Sequence, residues 1–201
     1  LTRGNGPAAA RPFDIEHDGF APGEGAAFFV LESALRAQAR GVRAYARIVA
    51  QSDGLALNAL ASGDESAIVD NLELVLSRAG WRASDVDLFV AHGNGTPLFD
   101  QIEAQALVRF FGRDQPPVTS NKGQLGHAIA AGGPLSVVTA IEALRRNIIA
   151  PMAHFSALHP QCNGIDLVVG KARSSGSLTR CLVHAAGLGG QTSLLALEAL
   201  S

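Results

Sequence analysis

Between residues 86 and 111 a strand-like apolar run, Val86-Asp-Leu-Phe-Val-Ala91, passes without a spacer into His92-Gly-Asn-Gly-Thr-Pro97 and then into a helical stretch, Asp100 to Phe111. No other feature constrains the fold as much. An apolar run too short for a helix reads as a strand buried on both faces, which occurs where helices cover a parallel sheet. The small-residue turn then falls at the carboxyl end of a strand, the edge where open α/β sheets gather their ligands.

The rest of the chain keeps the same alternation. Gly25 to Leu31 (GAAFFVL) reads as a buried strand, Ser33 to Arg40 as a helix stopped by Gly41, and Ala46 to Ala50 as a second strand. From Asp64 onward, Ile68, Leu72, Val75, Leu76 and Ala79 line one helical face that ends at Gly80. A further helix is expected over 133–145, after a loop over 120–132. Two last strands, Arg180 to Ala186 and Ser193 to Ala199, are joined by Gly187-Leu-Gly-Gly-Gln191. Without a repeat or a low-complexity linker, residues 1–201 are expected to form one α/β domain, or one half of a duplicated one.

A formal charge of −2 and a pI near 6.3 leave no basic footprint for phosphate binding, so no nucleic-acid partner is expected. The longest uncharged apolar stretch, Ala128 to Ile141, contains Gly132, Gly133 and Pro134 and is shorter than the roughly 20 residues that cross a bilayer. No membrane span is expected. The amino terminus has no basic region followed by an apolar core. Cys162 and Cys181 are too few for a disulfide framework and lack metal-ligand spacing, so a reducing, cytoplasmic setting, no metal and two small buried hydrophobes are expected.

Four segments carry chemistry. His92, flanked by small residues, lets a ligand approach its ring, although a histidine there serves equally well as a core residue. In Asn121-Lys122-Gly-Gln-Leu-Gly-His127 a lysine five residues before a histidine can hold the imidazole neutral, and a neutral imidazole can donate to a carbonyl becoming an enolate. The alternative is a solvated lysine and a loop histidine. Glu103, with Asp100 nearby, can pair with Lys122 or simply face solvent. Gly187-Leu-Gly-Gly190 brings backbone N–H groups toward a ligand, or is only a glycine hairpin.

Together these segments resemble the β-ketoacyl-acyl-carrier-protein synthase family. Arg11-Pro-Phe-Asp14, Asp18-Gly-Phe20 and Gly23-Glu-Gly-Ala26 are similar to family blocks; His92-Gly-Asn-Gly-Thr96 resembles its His-Gly-Thr-Gly-Thr motif, Lys122 to His127 its Lys-Ser-x-x-Gly-His motif, and Gly187 to Gly190 its Gly-Phe-Gly-Gly turn. The resemblance implies a thiolase-like layered αβαβα fold, of which this chain is the C-terminal half.

It also implies roles. His92 and His127 donate to the malonyl thioester carbonyl, Lys122 held by Glu103 keeps His127 neutral, and the Leu188 N–H completes an oxyanion hole with the nucleophilic cysteine of the other half. Thr96, with Asn94 beside it, binds the pantetheine arm. No cofactor is implied, since substrates ride on the phosphopantetheine of acyl-carrier protein, which would dock on basic residues such as Arg36, Arg40 and Arg43. A homodimer or heterodimer is implied, and the isolated half is expected to be inactive. Asn94, Phe99, His184, Ala186, Leu188 and Thr192 depart from the family pattern, in which residues 184 and 192 are both Asn and residue 188 is a gating Phe. The main alternative is a chain-length-factor-like partner subunit, non-catalytic for want of a nucleophile; a thiolase fits the Lys122 to His127 motif poorly.

Overall fold

A computed structural model describes residues 1–4, 9–56, 64–174 and 176–200. The elements run α1 (Ala34–Ala39), β1 (Arg47–Leu55), α2 (Glu65–Ala79), β2 (Leu88–Val90), α3 (Pro97–Phe111), β3 (Pro117–Thr119), α4 (Lys122–Leu125), α5 (Gly132–Arg146), β4 (Ile148–Ile149), β5 (Asp166–Leu167), β6 (Arg173–Ser174), β7 (Arg180–Ala186) and β8 (Gln191–Glu198). Six strands form one sheet in the order β1-β8-β7-β2-β3-β5, while β4 and β6 make a separate antiparallel pair. The β7-β2-β3-β5 part is parallel, and β8 and β1 add an antiparallel edge.

Strand periodicity explains the layers. On β2 and β7, Leu88, Val90, Cys181 and Val183 join one buried cluster with Ala140 and Leu144 of α5. The alternate residues Phe89 and Leu182 join another with Ile68, Leu72 and Leu76 of α2 and Leu107 of α3. Successive side chains of a strand point to opposite faces, so a sheet covered on both sides must be apolar at every position. Fully buried leucines such as Leu72 and Leu107 each contribute about 1.5–3 kcal/mol of burial.

Local signals set the helix ends. Asp64 caps α2 by accepting from the Ser66 and Ala67 N–H groups, and Gly80 ends it in the left-handed conformation at φ 66°. The expected loop over 120–132 instead contains the single turn α4, started by Asn121, and a 3₁₀ turn at Ile129–Ala131.

One expected element is absent. Residues 25–31 form no strand, and Phe28, Val30 and Leu31 are 96%, 88% and 74% exposed. The composition suits a buried strand, but a strand needs a neighbour for its backbone groups, and among the described residues no strand lies beside this run. Conversely β3 and β5, of three and two residues, carry too little pattern to be read from the sequence.

Candidate active site

Parallel pairing delivers the site. Val90 of β2 lies opposite Val183 of β7 and Thr119 of β3, so the chain leaves all three strands at the same sheet edge. His92 follows β2, Lys122 follows β3, and Ala186 is the last residue of β7. These residues are far apart in sequence and meet because three strands end together.

His92 is buried, and its ring lies 5.3 Å from that of His127, the two planes at 89°. The Ala186 N–H donates to His92 Nδ1 at 3.2 Å. A backbone N–H can only donate, so Nδ1 is the bare nitrogen and the proton of neutral His92 sits on Nε2. The Nδ1 of His127 is buried with no partner among the described residues. A proton there would be an unsatisfied donor, which favours Nε2–H in this ring also. Phe99 and Phe20 brace the two imidazoles at 4.8 and 5.4 Å.

Both rings are held neutral near pH 7. Burial lowers the pKa of His92 well below the usual histidine value, with Lys122, His184 and His127 adding to the effect. His127 is lowered to about 4, first by burial and second by the charge of Lys122. Lys122 is itself buried and lowered to about 8 by desolvation, partly offset by Glu103 and Asp100. It remains mainly cationic at neutral pH, and its Nζ donates to the His92 carbonyl at 2.5 Å.

The expected Lys122–Glu103 pair does not form: no ion pair joins them within 4.0 Å among the described residues. Glu103 is fully buried and accepts from the His92 N–H at 2.7 Å, the Gly93 N–H at 2.8 Å and His184 Nδ1 at 2.5 Å. With its oxygens engaged, the carboxylate reaches Lys122 only through the field and through the shared 92–93 peptide. Asp100 does comparable work on the next peptides, accepting from the N–H groups of Asn94 and Gly95 at 3.1 and 3.2 Å, from Phe13 N–H at 2.7 Å and from His17 Nδ1 at 3.0 Å. Two carboxylates one helical turn apart on α3 thus tie down the whole turn after β2.

Comparison with known proteins shows the family. The profile described as beta-ketoacyl synthase, C-terminal domain, matches residues 44–156, more than half of the chain. The chain belongs to the β-ketoacyl synthase family. Over 93% of its length the synthase domain is 41% identical to the actinorhodin polyketide putative beta-ketoacyl synthase 2 of Streptomyces coelicolor, covering 46% of that protein. It matches the solved ishigamide ketosynthase/chain length factor with a TM-score of 0.93 at 28% identity, over all of this chain and 48% of that one. A type II polyketide acyl-carrier protein in complex with its ketosynthase gives a TM-score of 0.89 at 26% identity, over 97% of this chain and 48% of that chain. The chain therefore spans about half the length of these relatives, and its fold is the α/β fold of the thiolase type.

Within the synthase domain the remaining expected residues divide. Asn94 is buried, and its Oδ1 accepts the Thr96 N–H at 2.8 Å, which helps to shape the turn. Thr96 precedes α3 half-buried, with its hydroxyl free of any capping bond. Leu188 is 79% exposed at the tip of the β7–β8 turn. Cys162 and Cys181 are buried free thiols; burial pushes Cys162 up to about 12 and Cys181 higher still. Among the described residues no cluster of His, Cys, Asp or Glu can hold a metal ion, and no helix is long and apolar enough to cross a membrane.

Sequence reasoning gave His184 no role, although an ionisable residue inside the apolar strand RCLVHAA was a signal. Phe13 is likewise part of the site's support. Its ring fills the space that a Cβ on Gly93 would need, at 2.5 Å from Phe13 Cε2.

Proposed function

We propose that this chain is the C-terminal half of a β-ketoacyl-acyl-carrier-protein synthase that makes a carbon–carbon bond by decarboxylative Claisen condensation, with the nucleophilic cysteine on a half outside these 201 residues. One observation carries the reading: two neutral imidazoles 5.3 Å apart, one of them fixed by Ala186 as the Nε2–H tautomer. In the proposed reaction the malonyl carboxylate leaves as carbon dioxide, and the electron pair of the broken bond moves into the thioester carbonyl as an enolate. His92 and His127 donate their Nε2–H groups to the oxygen that gains charge, each such donor lowering the barrier by about 2.7–4 kcal/mol. The enolate carbon then attacks the acyl group on the cysteine, and the thiolate departs.

Burial and raised thiol pKa values leave Cys162 and Cys181 unsuited to that nucleophilic role. The exposed Phe28, Val30 and Leu31 fit a surface that the other half covers. The reading includes acyl-carrier protein as partner, phosphopantetheine-borne substrates without a further cofactor, Thr96 on the pantetheine arm, the Leu188 N–H in the oxyanion hole, a dimeric enzyme of fatty-acid or polyketide synthesis and a cytoplasmic setting. The isolated chain is then inactive in condensation.

The likeness to a ketosynthase/chain length factor structure favours a second reading, a non-catalytic partner subunit. Malonyl decarboxylation by the full-length polypeptide separates the two. In the first reading His92→Ala and His127→Ala each abolish decarboxylation while the cysteine still acylates; unchanged decarboxylation in both variants removes their assigned roles. Absence of a cysteine at the nucleophile position leaves the partner reading.

A further inference from the structure

His184 sits on β7 with both ring nitrogens engaged. Its Nδ1 lies 2.5 Å from Glu103 Oε1, and its Nε2 lies 2.8 Å from Thr192 Oγ1 on β8. Both partners are buried. The network continues outward, Asn71 Nδ2 of α2 donating to the Thr192 carbonyl at 3.3 Å and Ser52 Oγ of β1 to the Asn71 carbonyl at 3.0 Å. At its inner end the Glu103 carboxylate grips the N–H groups of His92 and Gly93. Two residues beyond His184, the same strand presents the Ala186 N–H that fixes the His92 tautomer. Strand β7 thus holds His92 twice, through its backbone at the ring and through a side chain and a carboxylate at the peptide.

We propose that His184 is a positioning residue for His92, donating to Glu103 so that the carboxylate stays aligned on the 92–93 peptide and the His92 ring stays on the Ala186 N–H. Glu103 left to itself is a buried carboxylate with two backbone donors and a free lone-pair direction toward β7; the imidazole supplies the third donor and removes the freedom to turn. Thr192 holds the other end of the ring. Residues 184 and 192 are in direct contact across β7 and β8, so the pair is one unit. Lys122, with no ion-pair partner among the described residues, holds the other side of the same peptide through the His92 carbonyl. The importance of the positioned ring rests on the reading of His92 as a donor to substrate, but the positioning itself is measured without activity.

The test is amide hydrogen exchange, resolved by residue, on the full-length polypeptide and its His184→Ala and His184→Asn variants. Asn keeps an N–H donor near the place of Nδ1, whereas Ala has none. The expected result for His184→Ala is faster exchange at His92, Gly93 and Ala186 by about tenfold, the effect of losing one charge-assisted hydrogen bond, with Leu88 and Ala140 in the core unchanged. In His184→Asn protection at the three amides returns. Unchanged exchange at His92 and Gly93 in His184→Ala, or Asn no better than Ala, overturns the proposal. A uniform rise that includes Leu88 and Ala140 also overturns it, since that marks a general packing role.

Should His184→Ala not fold, Thr192→Val decides. It removes the partner of Nε2, lets the ring swing from Glu103 and raises exchange at residues 92 and 93; no rise there overturns the proposal. Where wild type decarboxylates malonyl thioester, kcat falls in His184→Ala with KM little changed. A wild type that does not decarboxylate refutes the catalytic reading and leaves the exchange result intact.

Discussion

Removing the Glu103 carboxylate is the sharpest perturbation of the site. Three donors converge on it at 2.5–2.8 Å, and its exposure is 0%. In Glu103→Ala the N–H groups of His92 and Gly93 lose their acceptor at about 1–3 kcal/mol each, and His184 loses its partner. Local relaxation and water entry recover part of that sum, so the expected loss is about 3–5 kcal/mol, the range for breaking a buried pair from one side. Glu103→Gln keeps the volume and one acceptor oxygen but turns an NH₂ group toward one donor, for an expected loss of about 1.5–3 kcal/mol.

The assay is urea unfolding of the full-length polypeptide at pH 7, with a lower midpoint at unchanged slope marking a change in stability. The pH dependence has a definite sign. Burial alone would raise the Glu103 pKa, but the attraction and hydrogen bond of His184 and the two backbone N–H groups carry it below the ordinary 4.5. A carboxylate with a depressed folded pKa contributes stability that is present above the ordinary value and lost as pH falls through the folded one. The gap between wild type and Glu103→Gln therefore narrows as pH falls below 4.5. A Glu103→Ala loss under about 1 kcal/mol, or a Gln variant less stable than the Ala variant, refutes the reasoning.

Lys122→Met removes the second cause of the low His127 pKa, so the value rises from about 4 but stays below the usual 6.5 because burial, the larger cause, persists; an NMR titration of the His127 ring measures it. Stability held through neutral His127 is full above pH 6.5 and is lost as pH falls toward 4, since the unfolded chain takes the proton first. Gly93→Ala places a methyl 2.5 Å from Phe13 Cε2 at a φ of +29°, for an expected loss of about 1–3 kcal/mol in thermal or urea unfolding. Cys162 and Cys181, buried with raised thiol pKa values, are expected to resist alkylation at pH 8 in the folded protein and to react once it is unfolded.

The sequence by itself determined what depends on neighbours along the chain. The apolar face and caps of α2 appear at Asp64 and Gly80, α3 follows the turn after β2, and β7 spans the residues its pattern indicates, because helix periods, caps and buried strands are written within ten or fifteen residues. The candidates His92, Lys122 and His127 were legible because small residues surround them and their spacing matches a family motif. The order of the strands, and hence the meeting of the turns after β2, β3 and β7, is a property of pairing between distant segments. The same dependence left residues 25–31 without the strand their composition suggested. Only the tertiary structure decided the partner of Glu103. A carboxylate on α3 has one sequence but many possible neighbours, and the nearest fixed donors proved to be two peptide N–H groups and an imidazole 81 residues away rather than the lysine. Once buried, that carboxylate cannot stay unpaired, so whichever donors the packing brings within reach become its partners.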